Sequence, residues 1–191
     1  MKQQEGEIAR LLAAAFQDEA LYNAYYQVAE ERVFRRGEVL LEQGKVCRHC
    51  YNIISGLVRV FYLKDGKDIT TAFCFADDTV FSIESATRQT PCPETYEVLE
   101  DSVIEVIAFE DLNRLRQEFP VLEKVWTLSM EAYAIWLEER VYSMQFCSAR
   151  ERYQQLLQKY PEIILQARLT HIASYLGITL ETLSRIRAQA G

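Results

Sequence analysis

The stretch from Leu169 to Arg187 leaves this chain fewer structural choices than any other. Two short helices that cross at a tight turn need a small residue at the crossing, a residue free to take positive φ in the turn, and an apolar pair on each inner face. Ala173 and Gly177 meet the first two needs, and Ile172 with Leu176 and Leu183 with Ile186 meet the third. The spacing predicts a helix-turn-helix. Thr179 stands where it can cap the second helix, and Glu181, Ser184 and Arg185 then project from its outer side at i, i+3 and i+4. Side chains so arranged suit the base edges in a major groove. An ordinary helical hairpin is the plainer reading, and the shared register of small residue, glycine and apolar pairs argues against it.

Charge divides the 191 residues unevenly. The net charge is −7, yet from Ser148 to Gly191 six Lys or Arg face three Glu, a balance of +3, which leaves −10 for the rest. An acidic total excludes general affinity for nucleic acid or anionic membrane, so any DNA contact falls to the basic end alone. The apolar run from Ile8 to Phe16 is broken by Arg10 and preceded by Glu5 and Glu7, so it fits neither a signal peptide nor a membrane helix. A cytoplasmic protein is expected. Five cysteines, an odd number without an export signal, point to free thiols. Cys47 and Cys50, spaced Cys-x-x-Cys around His49, are the candidates for a metal or cluster, but no second close pair follows.

The first 29 residues have helical patterning, with Ile8, Leu11, Leu12 and Ala15 on one stripe and a second helix expected from Asp18 to Val28. From Glu30 the pattern changes to short β-branched and aromatic runs punctuated by Gly37, Gly44, Gly56 and Gly66. About eight strands are expected, read as a meander closed into a small barrel or double-sheet roll. Asp65-Gly66 marks a tight hairpin between Leu57–Leu63 and Lys67–Phe75. Asp77 to Pro93 reads as a pocket-forming loop with a short helix.

After one helix from Phe109 to Phe119, Pro120 opens a long helix that runs without Gly or Pro to about Cys147. Leu122, Val125, Ser129, Ala132 and Trp136 form one stripe on it, and Leu128, Ile135, Val141 and Met144 form another. Two apolar faces exceed what one domain needs, and a partner chain accounts for the surplus. Ser148 and Glu151 have the form of a capping box, which starts a new helix running to Tyr160 and places a stiff hinge near Phe146 to Ser148.

In order of parts the chain resembles the Crp/Fnr family of bacterial transcription regulators. The matching residues are Arg36-Gly37-Glu38-Val39-Leu40, Glu42-Gln43-Gly44, the run from Ile53 to Val60, Leu99-Glu100-Asp101 and the run from Leu176 to Ile186. The resemblance implies an α+β chain. Its parts would be an N-terminal double-stranded β-helix of the cyclic-nucleotide-binding, jelly-roll-like type (residues 1–119), a long dimerisation helix (120–147) and a C-terminal helix-turn-helix domain (148–191). By the same resemblance Thr179, Leu180, Glu181, Thr182, Ser184, Arg185 and Arg187 form the DNA-binding set. Glu181 and Arg185 match the base-reading positions, and Leu180 stands where catabolite-activator-type members have a further arginine.

Two departures qualify the match. The family's Phe-Gly-Glu becomes Phe81-Ser82-Ile83-Glu84, and its Arg-Ser/Thr-Ala falls on Cys92-Pro93-Glu94-Thr95, so the phosphate-binding arginine is missing. An effector pocket lined by Phe81, Ser82, Glu84, Ser85, Arg88 and Thr95 is therefore expected to take no cyclic nucleotide in the usual way and no cofactor, leaving an unknown small-molecule effector. The second departure is that the sequence ends soon after the second helix of the motif, so a full wing is not expected.

The expected partners are double-stranded DNA with an inverted-repeat site, a second copy of the chain through Leu122, Val125, Ser129, Ala132 and Trp136, and RNA polymerase, with no membrane. The only histidines are His49 and His171, and no nucleophile and base fall into a catalytic grouping, so an enzyme is not expected. Two alternatives stand beside the regulator: a sensor or protein-interaction module with a vestigial helix-turn-helix, and a cysteine-based metal or redox sensor.

Overall fold

The computed structural model describes residues 2–189, with side chains from residue 6 onward. Two helices open the chain, α1 (Lys2–Ala15) and α2 (Glu19–Tyr26), the second capped by Asp18, whose carboxylate accepts the Ala20 and Leu21 amides. Eight strands follow among the described residues: β1 (Glu30–Phe34), β2 (Val39–Leu41), β3 (His49–Ser55), β4 (Val58–Lys64), β5 (Lys67–Cys74), β6 (Thr79–Val80), β7 (Thr95–Val98) and β8 (Ser102–Ala108). They form two antiparallel four-stranded sheets, β1-β8-β3-β6 and β2-β7-β4-β5. This is a double-sheet roll, and the expected meander is corrected: β4 and β5 are the one pair adjacent both in sequence and in a sheet.

Local chemistry sets the turns. Asp65 and Gly66 both take positive φ, 52° and 73°, between Lys64 and its register partner Lys67, as a two-residue hairpin with the twist of its strands requires. Gly56 takes φ 110°, and a Cβ there would lie 1.9 Å from the Ser102 hydroxyl, so no side chain fits. That hydroxyl accepts the Leu57 amide and donates to the Glu100 carbonyl, which ties the β3–β4 turn to the start of β8.

Tyr51, Ile53, Val58, Val60, Tyr96, Val98, Ile104 and Val106 fill the space between the sheets. Outside the first sheet, the Tyr25 hydroxyl of α2 and the Asn52 amide both donate to the Glu105 carboxylate, and Thr79 donates to Asn52. A short helix, α3 (Ile83–Arg88), lies in the Asp77–Pro93 stretch, and α4 (Phe109–Glu118) leads into the 27-residue α5 (Pro120–Phe146). The first turns of α5 pack into the protein's own core, where Leu122 meets Ala15, Leu21 and Leu115. Trp126 stacks on Phe81 of the roll at 5.4 Å and lies under the Arg116 guanidinium.

Two extended residues, Cys147 and Ser148, separate α5 from α6 (Ala149–Lys159), and the Ser148–Glu151 capping box is formed in both directions. A short helix, α7 (Ile163–Gln166), then precedes α8 (Leu169–Tyr175) and α9 (Leu180–Ala188). These helices do not stand apart from the roll. Leu57, Phe73 and Leu99 of the roll share one buried core with Tyr153, Leu156, Ile163, Ile172, Leu176 and Leu183. Phe75 stacks flat on Tyr160 at 3.7 Å, and the Ser174 hydroxyl of α8 accepts the Thr70 amide and donates to the Asp68 carbonyl of β5. Among the described residues no helix is long and apolar enough to cross a membrane.

Candidate nucleic-acid interface

The turn between α8 and α9 is built as its residues require. Gly177 takes φ 68°, its amide and that of Ile178 return to the Ser174 and Ala173 carbonyls, and this left-handed cap closes α8. Ala173, Ile172, Leu176, Leu183 and Ile186 are all buried at the crossing. The Thr179 hydroxyl accepts the Thr182 amide and starts α9. The residues predicted to bind DNA thus stand on a packed base. Thr179, Leu180, Glu181, Ser184, Arg185 and Arg187 are exposed on the outer side of α9, and Thr182 is half-buried beside them. Arg185 donates to the Thr182 hydroxyl at 3.3 Å. Hydrogen bonds from its own backbone amide and from Thr179, with Arg185 nearby, hold the Glu181 carboxyl below the usual carboxylate range. At working pH the face thus presents one carboxylate and two guanidinium groups around hydroxyls.

The residues chosen for an effector pocket are placed differently. Ser82 caps α3, and the buried Ser85 hydroxyl accepts the Cys47 amide at 2.9 Å and donates to the Thr90 carbonyl at 2.5 Å. Thr95, also buried, accepts the Gln43 amide. Phe81 packs between Phe109 and Trp126, at the seam of roll and α5. Glu84 and Arg88 pair with each other on the surface, the arginine side chain 71% exposed. Arg88 therefore points away from the interior.

Cys47 and Cys50 are buried, and among the described residues no three His, Cys, Asp or Glu side chains gather as a metal site. Burial pushes the Cys50 thiol up to about 12 and raises Cys47 as well, so both stay protonated.

On α5 the predicted interface set divides. Leu122 is used inside its own chain, Val125, Ser129, Ala132 and Trp136 are half-buried, and Ser129 bonds back to the Val125 carbonyl. The bare apolar surface lies further along, where Tyr133, Leu137, Val141 and Met144 fall on one stripe. Tyr142 and Phe146 flank it, and with Leu137 and Val141 they line a shallow apolar groove.

Sequence reasoning missed the seam between α8 and the roll. Arg59 is only 3% exposed, pairs with Asp68 at 2.7 Å and Glu97 at 2.8 Å, donates to Thr70, and lies over the Phe61 ring. His171 of α8 faces this network with its Nδ1 buried and without a hydrogen-bond partner. The alternation Val58-Arg59-Val60 does assign Arg59 to the outer face. Nothing local shows that the outer face is covered.

Residues 31–119 match the model of the cyclic nucleotide-binding domain. No curated protein matches the sequence. Among solved structures, FixK2 from Bradyrhizobium japonicum is similar with a TM-score of 0.72 and 24% identity, over 85% of this chain and 84% of that one. The c-di-GMP-responsive global regulator CLP of Xanthomonas campestris is similar with a TM-score of 0.71 and 16% identity, over 91% of this chain and 92% of that one. A transcriptional regulator of the Crp/Fnr family from Eubacterium rectale follows with a TM-score of 0.70 and 19% identity, over 88% and 81%. With a roll, a long helix and a capped helix-turn-helix in this order, the chain carries a cyclic nucleotide-binding-type domain in residues 31–119 and has the fold of the Crp/Fnr regulators.

Proposed function

We propose that this protein is a sequence-specific DNA-binding transcription regulator of the Crp/Fnr type, acting as a homodimer on an inverted-repeat site. The observation that carries the reading is the outer side of α9. Glu181, Ser184 and Arg185 stand exposed over a packed base, at the spacing that reaches successive base edges. Residues 1–119 then form the effector domain, 120–147 the dimerisation helix and 148–191 the DNA-binding domain. The bare stripe of Tyr133, Leu137, Val141 and Met144 supports a second copy of the chain as partner, with Trp136 stacked on Tyr133 at its edge. Two-fold symmetry sets the half-sites about one helical turn apart. Such a regulator works in the cytoplasm, with RNA polymerase as its further partner, and carries out no reaction of its own.

The roll takes a neutral or cationic effector, or none. A cyclic nucleotide brings a phosphodiester anion whose lost hydration a fixed cation or several backbone donors must offset. The residue at the arginine position is Cys92, Arg88 faces solvent, and Glu94 donates no hydrogen bond when ionised. The buried, protonated thiols of Cys47 and Cys50 weigh against the metal or redox alternative.

The test is selection of bound duplexes from a random-sequence pool with the full chain, followed by gel shift on the selected site. A two-fold symmetric consensus is the expected result, and recovery of no consensus sinks the reading in favour of an interaction module. Titration calorimetry with cyclic AMP and cyclic GMP checks the effector arm, where micromolar binding lost in Arg88→Ala would restore the usual ligand.

A further inference from the structure

Three groups from outside the helix-turn-helix converge on the last turn of α8. The Arg140 guanidinium of α5 lies 4.0 Å from the centre of the Tyr175 ring and donates to the Tyr175 carbonyl. Arg152 of α6 donates to the Leu176 carbonyl at 3.0 Å and also to the Cys147 carbonyl. Met144 of α5 closes over the turn, where a Cβ on Gly177 would meet its methyl at 2.6 Å. Two cations thus sit at a helix C-terminus, where the backbone dipole favours positive charge and the last carbonyls lack intrahelical donors. The Tyr175 ring also meets Phe73 of β5 at 5.3 Å. One aromatic side chain therefore touches the dimerisation helix, the roll and the motif.

Arg140 differs from a surface arginine in what it faces. Among the described residues it has no carboxylate within ion-pair distance, and burial pushes its pKa below the usual arginine value. A half-buried cation costs hydration, and here the return is a ring face and a carbonyl in fixed positions. The planar guanidinium can stack and donate at once, which an ammonium or a thioether of similar length cannot.

We propose that Arg140 is a positioning residue, which sets the angle of the recognition helix relative to the dimerisation helix and so fixes the half-site spacing that the dimer accepts. The inference rests on the DNA-binding dimer described above. It follows from connectivity: α9 is packed on α8 through Ile172, Leu176, Leu183 and Ile186, so it turns with α8, and Arg140 joins α8 to the helix on the proposed dimer axis. Removing Arg140 leaves that packing, the Ser174 bonds to β5 and the Arg152 bonds intact. The module stays folded with a looser angle.

The test compares the parent with Arg140→Met, which keeps bulk over Tyr175 without charge or donors, and with Arg140→Lys, which keeps the charge without the fork. Each is measured on an isolated half-site, on the selected operator, and on operators with one base pair added to or removed from the spacer. Arg140→Met is expected to bind the half-site as the parent does and to lose about tenfold of the preference for the selected spacing, with Arg140→Lys in between. Loss of half-site binding in proportion to operator binding, or an unchanged spacing preference in both variants, overturns the inference while leaving the DNA-binding reading in place. Should Arg140→Met not fold, Arg140→Lys decides by the same spacing measurement. A parent chain that selects no sequence overturns the reading and the inference together.

Discussion

Helix α9 and the stretch from Phe81 to Thr95 both carry small polar side chains, and they use them in opposite ways. Along α9 the hydroxyls and charges point outward, and Arg185, with five N–H donors, gives one to Thr182 and keeps the others available. In the roll, Ser82, Ser85 and Thr95 are spent on capping a helix and satisfying buried amides. A hydrogen bond made within the fold is lost to a ligand unless the ligand replaces it. The contrast teaches that a residue's type proposes a site, while its remaining capacity decides whether the site works.

That contrast can be broken most forcefully from beneath α9. Leu183→Ala empties a buried position in the shared core and should cost about 2 to 5 kcal/mol of stability in denaturant unfolding. An unchanged midpoint would show that the reading face does not rest on a rigid base. Ser85→Ala should cost about 1 to 3 kcal/mol, because the Cys47 amide loses its buried acceptor, and should leave operator affinity unchanged. Arg88→Ala in the same helix should leave the melting temperature as it was, and a large loss there would mean that the loop's surface charges matter more than its buried hydroxyls. Arg185→Ala should show the reverse pattern to Ser85→Ala: intact stability and a loss of about 1 to 3 kcal/mol of discrimination at one base position. Equal binding of all bases by parent and variant would remove Arg185 from the reading face.

The smallest expected effect lies at the seam between the two regions. Burial first, then the Arg59 guanidinium, push the His171 pKa below 6.5, with Asp68 and Glu97 pulling it up and Arg168 adding to the fall. The docked state thus prefers the neutral imidazole. Its contribution is complete above the ordinary value of 6.5 and is lost as pH falls through that value toward the lower folded one. Amide exchange at Thr70, whose N–H is held by Ser174, should quicken between pH 7.5 and 5.5 after correction for the intrinsic rate. His171→Gln should flatten that change, and a variant with the same pH dependence would clear His171 of the effect.

How much the sequence discloses varies with the distance over which its causes act. The Asp65-Gly66 hairpin, the Ser148–Glu151 box and the Gly177 turn are legible because each depends on a few consecutive residues. The outward direction of the residues predicted to bind DNA is legible for the same reason, since it follows from helical spacing over two buried pairs. β6, of two residues, and α7, of four, are too short for periodicity to register. Arg59 and Phe73 read as the outward half of an alternating pattern, and their burial depends on α8, which lies about a hundred residues further along. On α5 the pattern shows two apolar faces without saying which part of each meets α1 and α4. Hence Leu122 falls inside the protein, and the bare stripe runs from Tyr133 onward.

The shared core also bears on synthesis. Leu57, Phe73 and Leu99 are made well before Ile163, Ile172 and Leu183, which cover them. At ribosomal speeds the delay is on the order of 3 to 25 seconds. During that interval the nascent roll has a finished interior and an uncovered apolar outer wall. The roll therefore has a period of vulnerability that ends only when α6 to α9 have been made, and shielding of this wall during synthesis should raise the yield.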